Sequence, residues 1–248
     1  SQGESSVAIG NLAGNTSQNL KSIAIGNLAG TTSQNLQSIA IGNLAGNTSQ
    51  GVVNIAIGDS AGKINQIRYG VAIGYQAGNK TQGSRAVAIG AAAGKASQQE
   101  GAVAIGYSAG SNNQSENAVS IGYRASQYSQ GNGALAIGTS AGYTSQGKAG
   151  IALGNSSGYS QQGEYAVAIG SSSGKRNQGG SCIAIGYNAG NTSQGTNSIA
   201  IGKNAGETNQ HQNSIILNAS GATLDNDVVS GISGLFIDPI RALTNPAG

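Results

Sequence analysis

A glycine closing an Ala-Ile-Gly tripeptide, or a close variant of it, returns at every sixteenth position, thirteen times without insertion or deletion, from Gly10 through Gly26 and Gly42 to Gly202. So strict a period means that each repeat is one structural unit stacked on the next. Function is then to be sought on a repetitive surface, not in a deep pocket. Composition agrees: 248 residues include one Phe, no Trp and no Met, too few large apolar side chains for an ordinary globular core of that length. The 42 glycines show no three-residue period and 38% of residues are hydrophobic, which excludes collagen and disorder.

The registers are informative one by one. Before the closing glycine stands Ile in twelve repeats and Leu153 in the other. Two before it is Ala in twelve repeats (Ala8, Ala24, Ala40, Ala56, Ala72, Ala88, Ala104, Ala136, Ala152, Ala168, Ala184, Ala200) and Ser120 in one. Three before it the residue is always Val, Ile or Leu. Three after it comes Ala or Ser, and four after it a second glycine, replaced once by Ser126. Eight after it stands Gln in every repeat: Gln18, Gln34, Gln50, Gln66, Gln82, Gln98, Gln114, Gln130, Gln146, Gln162, Gln178, Gln194 and Gln210.

In Val-Ala-Ile the two branched residues are two apart, so on an extended strand they share one side and Ala takes the other. Two glycines per repeat leave no run long enough for a stable helix. The following segment carries turn formers at fixed places, suited to a bend, a second short strand and a return loop. Each repeat thus predicts one coil of an all-β, parallel β-solenoid. Coils about 4.8 Å apart give a rod of roughly 60 Å. The expected interior is the Val/Ile pair with the small residue after the turn. The alanine register, restricted to Ala and Ser, is expected to pack against a second copy of the chain, as the interface of a homo-oligomer. The glutamines are expected to form a structural ladder of side-chain amides.

The strings SSVAIGNLAG, SIAIGNLAG and AVAIGYSAG resemble the head repeats of trimeric autotransporter adhesins, the YadA-like parallel β-roll, over residues 5–213. That resemblance implies a left-handed coil and a homotrimer with the Ala face inward, as in the head of a bacterial surface adhesin. At the fourteenth position the motif becomes SIILNASGATL, with Asn218 in place of glycine, followed by VVSGISGLFIDPIR with Phe236 and Pro239. This ending is similar to fibre and tail-spike proteins of bacteriophages and large DNA viruses, in which such a segment precedes a removable C-terminal chaperone. The organisation expected is a lead-in over residues 1–5 from a truncated or processed N-terminal part, a solenoid over 6–213, and a cap and junction over 214–248.

Chemistry is sparse. One His, one Cys and nine acidic residues speak against a zinc site, a Ser-His-Asp triad or a Cys-His pair, and no cofactor or metal is expected. His211 reads as a loop residue, and Cys182 says little about compartment. Glu100 and Glu116 share a register one coil apart, a spacing compatible with glycoside hydrolysis. That register also holds Arg68, Lys148 and Glu164, as an outer edge would. The net charge of +3 is spread thinly, with Lys175 and Arg176 the only adjacent pair, so nucleic-acid binding is not indicated. No apolar run is long enough to span a membrane as a helix, and no stretch of this sequence reads as a signal peptide.

Surface stripes remain. Leu12, Leu28 and Leu44 share one register, and Leu20, Leu36 and Val52 another, an apolar patch at one end suited to an upstream domain, a partner or interchain packing. Tyr75, Tyr107, Tyr123 and Tyr187 each follow a closing glycine and form a candidate ligand surface for a glycan. Thr16, Thr32 and Thr48 begin a row of the ice-binding type that Ile64, Lys80 and Ala96 break. The expectation is a non-enzymatic, trimeric fibre or adhesin segment, extracellular or on a virion. Its expected partners are copies of itself and a surface receptor, a glycan or matrix protein.

Overall fold

A computed structural model describes residues 2–225 and 233–240. The chain winds into a parallel β-solenoid of about 14 turns with 16 residues per turn, and no helix occurs among the described residues. Each coil supplies two three-residue strands, such as Val71–Ile73 and Lys80–Gln82. The first strands stack into a 15-stranded sheet and the second into a 12-stranded one. Register is like over like: Val71 pairs with Val87, Ala72 with Ala88 and Ile73 with Ile89, while Gln82 pairs with Gln98. The backbone hydrogen bonds that tie strands together run coil to coil.

Folding so few residues into one flat coil requires sharp bends. In one coil Gln76, Thr81 and Arg85 sit at φ of 54°, 51° and 59°, a left-handed conformation costing an L-residue about 1–2 kcal/mol. The parallel pairing on both sides enforces it at every repeat. The closing glycine has a harder constraint. Gly74 lies at φ 125°, and a Cβ there would stand 2.8 Å from the carbonyl carbon of Gly90 on the next coil and 2.9 Å from its oxygen. Because that clash would recur in every coil, the column stays glycine and the period stays fixed.

The alternation on the first strand is as expected, but the two sides are exchanged. The alanine column from Ala24 through Ala40, Ala56, Ala72, Ala88, Ala104, Ala136, Ala152, Ala168 and Ala184 to Ala200 is fully buried within the single chain. These residues therefore cannot present a surface to a partner, which corrects the expected Ala interface. Ala8 is exposed, since its coil is the first. The reason is the thinness of the coil. A Cβ at Gly78 would stand only 3.2 Å from the Ala72 Cβ, so the opposing walls have room for a methyl group and none for an isobutyl. The interior comprises this column, the small residues three after the glycine, such as Ala77 and Ala93, the residue before each first strand, such as Ser38 and Ala102, and the glutamines. The Val/Ile pair, expected inside, faces outward: Ile9 is 59% exposed, Ile89 37% and Ile137 38%.

The interior widens at its C-terminal end. Ile215–Asn218 continues the first sheet with Ile216 in the alanine column, and Leu235–Asp238 follows with Phe236 in that column. Ile216 is fully buried, and Leu224 and Phe236 pack against its cluster. Asn218, in the glycine position, donates from Nδ2 to the carbonyls of Lys203 at 2.8 Å and Ala222 at 2.6 Å. The VVSG stretch and everything from Arg241 onward lie outside the described residues.

Candidate interaction surfaces

The glutamine register forms an internal spine. In Gln82, Nε2 donates to the Val71 carbonyl at 2.9 Å and to the Gln98 Oε1 at 3.1 Å, while Oε1 accepts from Gln66 at 2.9 Å. Amide-to-amide bonds run without interruption from Gln50 to Gln146 and again from Gln162 to Gln194. Ser126, in the place of a glycine, donates its hydroxyl to the Gln146 Oε1 at 3.1 Å, and the Gln162 Oε1 on the next coil has no partner. Being buried, the spine supports the coil and is inaccessible to ligands.

The outward side of the first sheet carries two columns of branched aliphatics, two residues apart, from Val7 and Ile9 to Ile215 and Leu217 and on to Leu235 and Ile237. Every member is exposed or half-buried. No polar residue interrupts either column across the described coils. So continuous an apolar strip is unusual on a free surface.

The turn after the closing glycine carries a different column. In the first coils it is an asparagine ladder, with Asn11 donating to Asn27 at 3.1 Å, Asn27 to Asn43 at 2.9 Å and Asn43 to Asp59 at 3.2 Å. The hydrogen bond from the Ser60 hydroxyl, then that from Asn43, holds the Asp59 carboxyl below its ordinary pKa. Tyr75 follows, then Ala91, Tyr107 and Tyr123. The four tyrosines singled out in the sequence are all exposed, at 55% for Tyr75, 51% for Tyr107, 47% for Tyr123 and 53% for Tyr187. Tyr107 and Tyr123 stack with centroids 5.4 Å apart, and the Arg124 guanidinium lies 5.1 Å over the Tyr123 ring. Tyr187 stands four coils beyond Tyr123, past Thr139, Asn155 and Ser171.

A second aromatic cluster was missed in the sequence. Tyr143 stacks on Tyr159 at 4.9 Å and meets the edge of Tyr128 at 5.5 Å. Burial, then the neighbouring phenols of Tyr128 and Tyr159, pushes the Tyr143 pKa up. Tyr143 and Tyr159 lie one full repeat apart and share a register, a signal that was available. Tyr128 belongs to another register, and only the bend brings it in.

The remaining candidates are dispersed. Leu12, Leu20 and Leu36 are exposed and Leu28, Leu44 and Val52 half-buried. Glu100 and Glu116 both lie on the exposed edge, where Glu100 pairs with Arg85. The threonine row Thr16, Thr32, Thr48 continues directly into Ile64, Lys80 and Ala96. Cys182 is buried with its Sγ 2.8 Å from the Gly195 carbonyl, and His211 is half-buried. No group of three or more metal-ligating side chains occurs among the described residues.

No protein-family model matches the chain, and no curated protein matches it at a significant level.

Proposed function

We propose that this protein is a non-enzymatic structural fibre segment of an extracellular appendage, on a virion or a cell surface, in which three solenoids associate into a stiff rod that displays a repetitive surface for attachment. The observation that carries the reading is the double column of outward Val, Ile and Leu along the whole solenoid. Fully burying such a side chain is worth about 1.5–3 kcal/mol, and these begin half-exposed. Summed over more than twenty residues, the gain exceeds the roughly 4–15 kcal/mol that association costs.

A partner covering this strip must match a coil repeat of about 4.8 Å over the full length, and another copy of the chain does so by construction. Two columns, one toward each neighbour, suit three copies around an axis. The resemblance to trimeric adhesin heads supports the same number, with Val/Ile at the axis in place of Ala.

Mass in solution tests this. The wild-type chain should run at about three times its 24.3 kDa, and the triple variant I57K/I73K/I89K should lose association by at least about a hundredfold, since three charges are buried at the axis, while keeping its strand circular dichroism. A wild-type monomer at micromolar concentration sinks the proposal, as does an unchanged assembly in the variant.

A further inference from the structure

One coil departs from its neighbours in a way that leaves a notch. Its turn reads Gly90-Ala91-Ala92-Ala93-Gly94-Lys95-Ala96, so that Ala91 stands between Tyr75 and Tyr107 in one column, Ala92 between Gln76 and Ser108 in the next, and Ala96 between Lys80 and Asn112 in a third. Three methyl groups thus form the floor of a cavity of about 460 Å³, with the two tyrosines, Lys80 and Lys95 among its lining residues. The phenol rings belong to coils two apart, a separation of about 9.5 Å by strand spacing. That gap accommodates one saturated six-membered ring with an aromatic face on either side.

The walls are held in place before any ligand arrives. Tyr107 is backed by the stacked Tyr123 ring, itself covered by Arg124, and the Tyr75 hydroxyl accepts from the Gln76 Nε2 at 3.1 Å. Such preorganisation lowers the ordering cost of binding. The charge in the notch is positive and unspent. Among the described residues the one ion pair is Arg85 with Glu100, so neither lysine faces a carboxylate, and Asp59 on the preceding coil is engaged by Ser60 and Asn43. Apolar walls with a few convergent polar groups are the usual character of a small-ligand site.

From the paired rings, the methyl floor and the two free ammonium groups, we infer that this notch binds an anionic pyranose residue of a glycan, ring faces against Tyr75 and Tyr107 and its acid group at Lys80 and Lys95. This rests on the attachment surface of the proposed rod but not on its trimeric state, because every lining residue belongs to one chain.

Binding of four probes to the intact chain tests it by calorimetry: a hyaluronan tetrasaccharide, sialyllactose, a heparin tetrasaccharide and neutral lactose. The expected result is that at least one acidic probe binds and lactose binds at least about tenfold more weakly. Binding of hyaluronan or sialyllactose, which carry carboxylates and no sulfate, would show that a carboxylate suffices, and binding of heparin alone would show that sulfate is required; both support the site. A91Y, which fills the notch with a residue the column already accepts, should weaken the acidic probe by about tenfold or more, and K80T/K95N by about fivefold. Equal affinity for lactose, no binding of any acidic probe, or full affinity in A91Y overturns the inference. Mass measured on the same samples separates the two proposals: a monomer that binds removes the trimer and leaves the site, and a trimer that binds nothing does the reverse.

Discussion

Along the first strand of each coil, Ala72 and its column neighbours touch the opposite wall of their own chain, whereas Val71 and Ile73 and theirs look outward. The inward side is made of methyl groups and hydrogen-bonded amides, and it admits Ala or Ser and nothing larger until Ile216. The outward side is more hydrophobic and tolerates Val, Ile or Leu in either column. An ordinary sheet has the reverse arrangement, with the branched side chains buried. The inversion follows from thickness: so short a coil, wound with two flat walls, encloses only a methyl-deep interior, so the chain's main apolar content is left on the outside.

The sharpest test of that contrast exchanges the two sides. Ala72→Ile should be the most damaging, by about 3 kcal/mol, because overpacking an interior that cannot relax costs about this much; the opposing wall at Gly78, where an added Cβ would stand 3.2 Å from the Ala72 Cβ, is backbone. Ile73→Ala, removing the same three carbons from the outward side, should cost under about 1 kcal/mol in a dispersed chain. Urea unfolding of each variant at low protein concentration compares them. Equal losses would mean the two sides of the strand are energetically alike.

The spine supplies the next effect. Gln82→Leu keeps the volume but leaves the Oε1 of Gln98 and the Nε2 of Gln66 without their bonds to residue 82, a loss of about 2 kcal/mol for buried polar groups stripped of partners. Gln162→Leu should cost less, since its Oε1 already lacks a partner. Urea midpoints for the pair measure the difference, and an equal shift for both would show that the amide chain adds nothing beyond packing.

Much of this was legible in the sequence, and the misreading has a definite cause. The period located every first strand, and the unvarying glutamine matched a stacked, buried side chain. Alternation told which residues share a side, but not which side is inside, and hydrophobicity suggested Val and Ile. The deciding quantity was the wall-to-wall distance, set by the bends at residues such as Gln76, Thr81 and Arg85, and no residue type there announces a left-handed conformation. The notch was visible as a run of three alanines, yet only the stacking of Tyr75, Ala91 and Tyr107 in one column turns that run into a cavity.

The smallest expected effect concerns the outer surface alone. Tyr143 keeps its proton to higher pH than a free phenol, first because of burial and then because of Tyr128 and Tyr159. With its folded pKa raised, its contribution is fully present below the unfolded value near about 10 and is lost as pH rises through the folded value, since the unfolded chain then ionises first. Tyrosinate absorbance should therefore show one group titrating later than a free phenol in the folded chain, absent in Tyr143→Phe, with stability between neutral pH and pH about 9 unchanged. A late-titrating group that survives in Tyr143→Phe would place the packed phenol elsewhere.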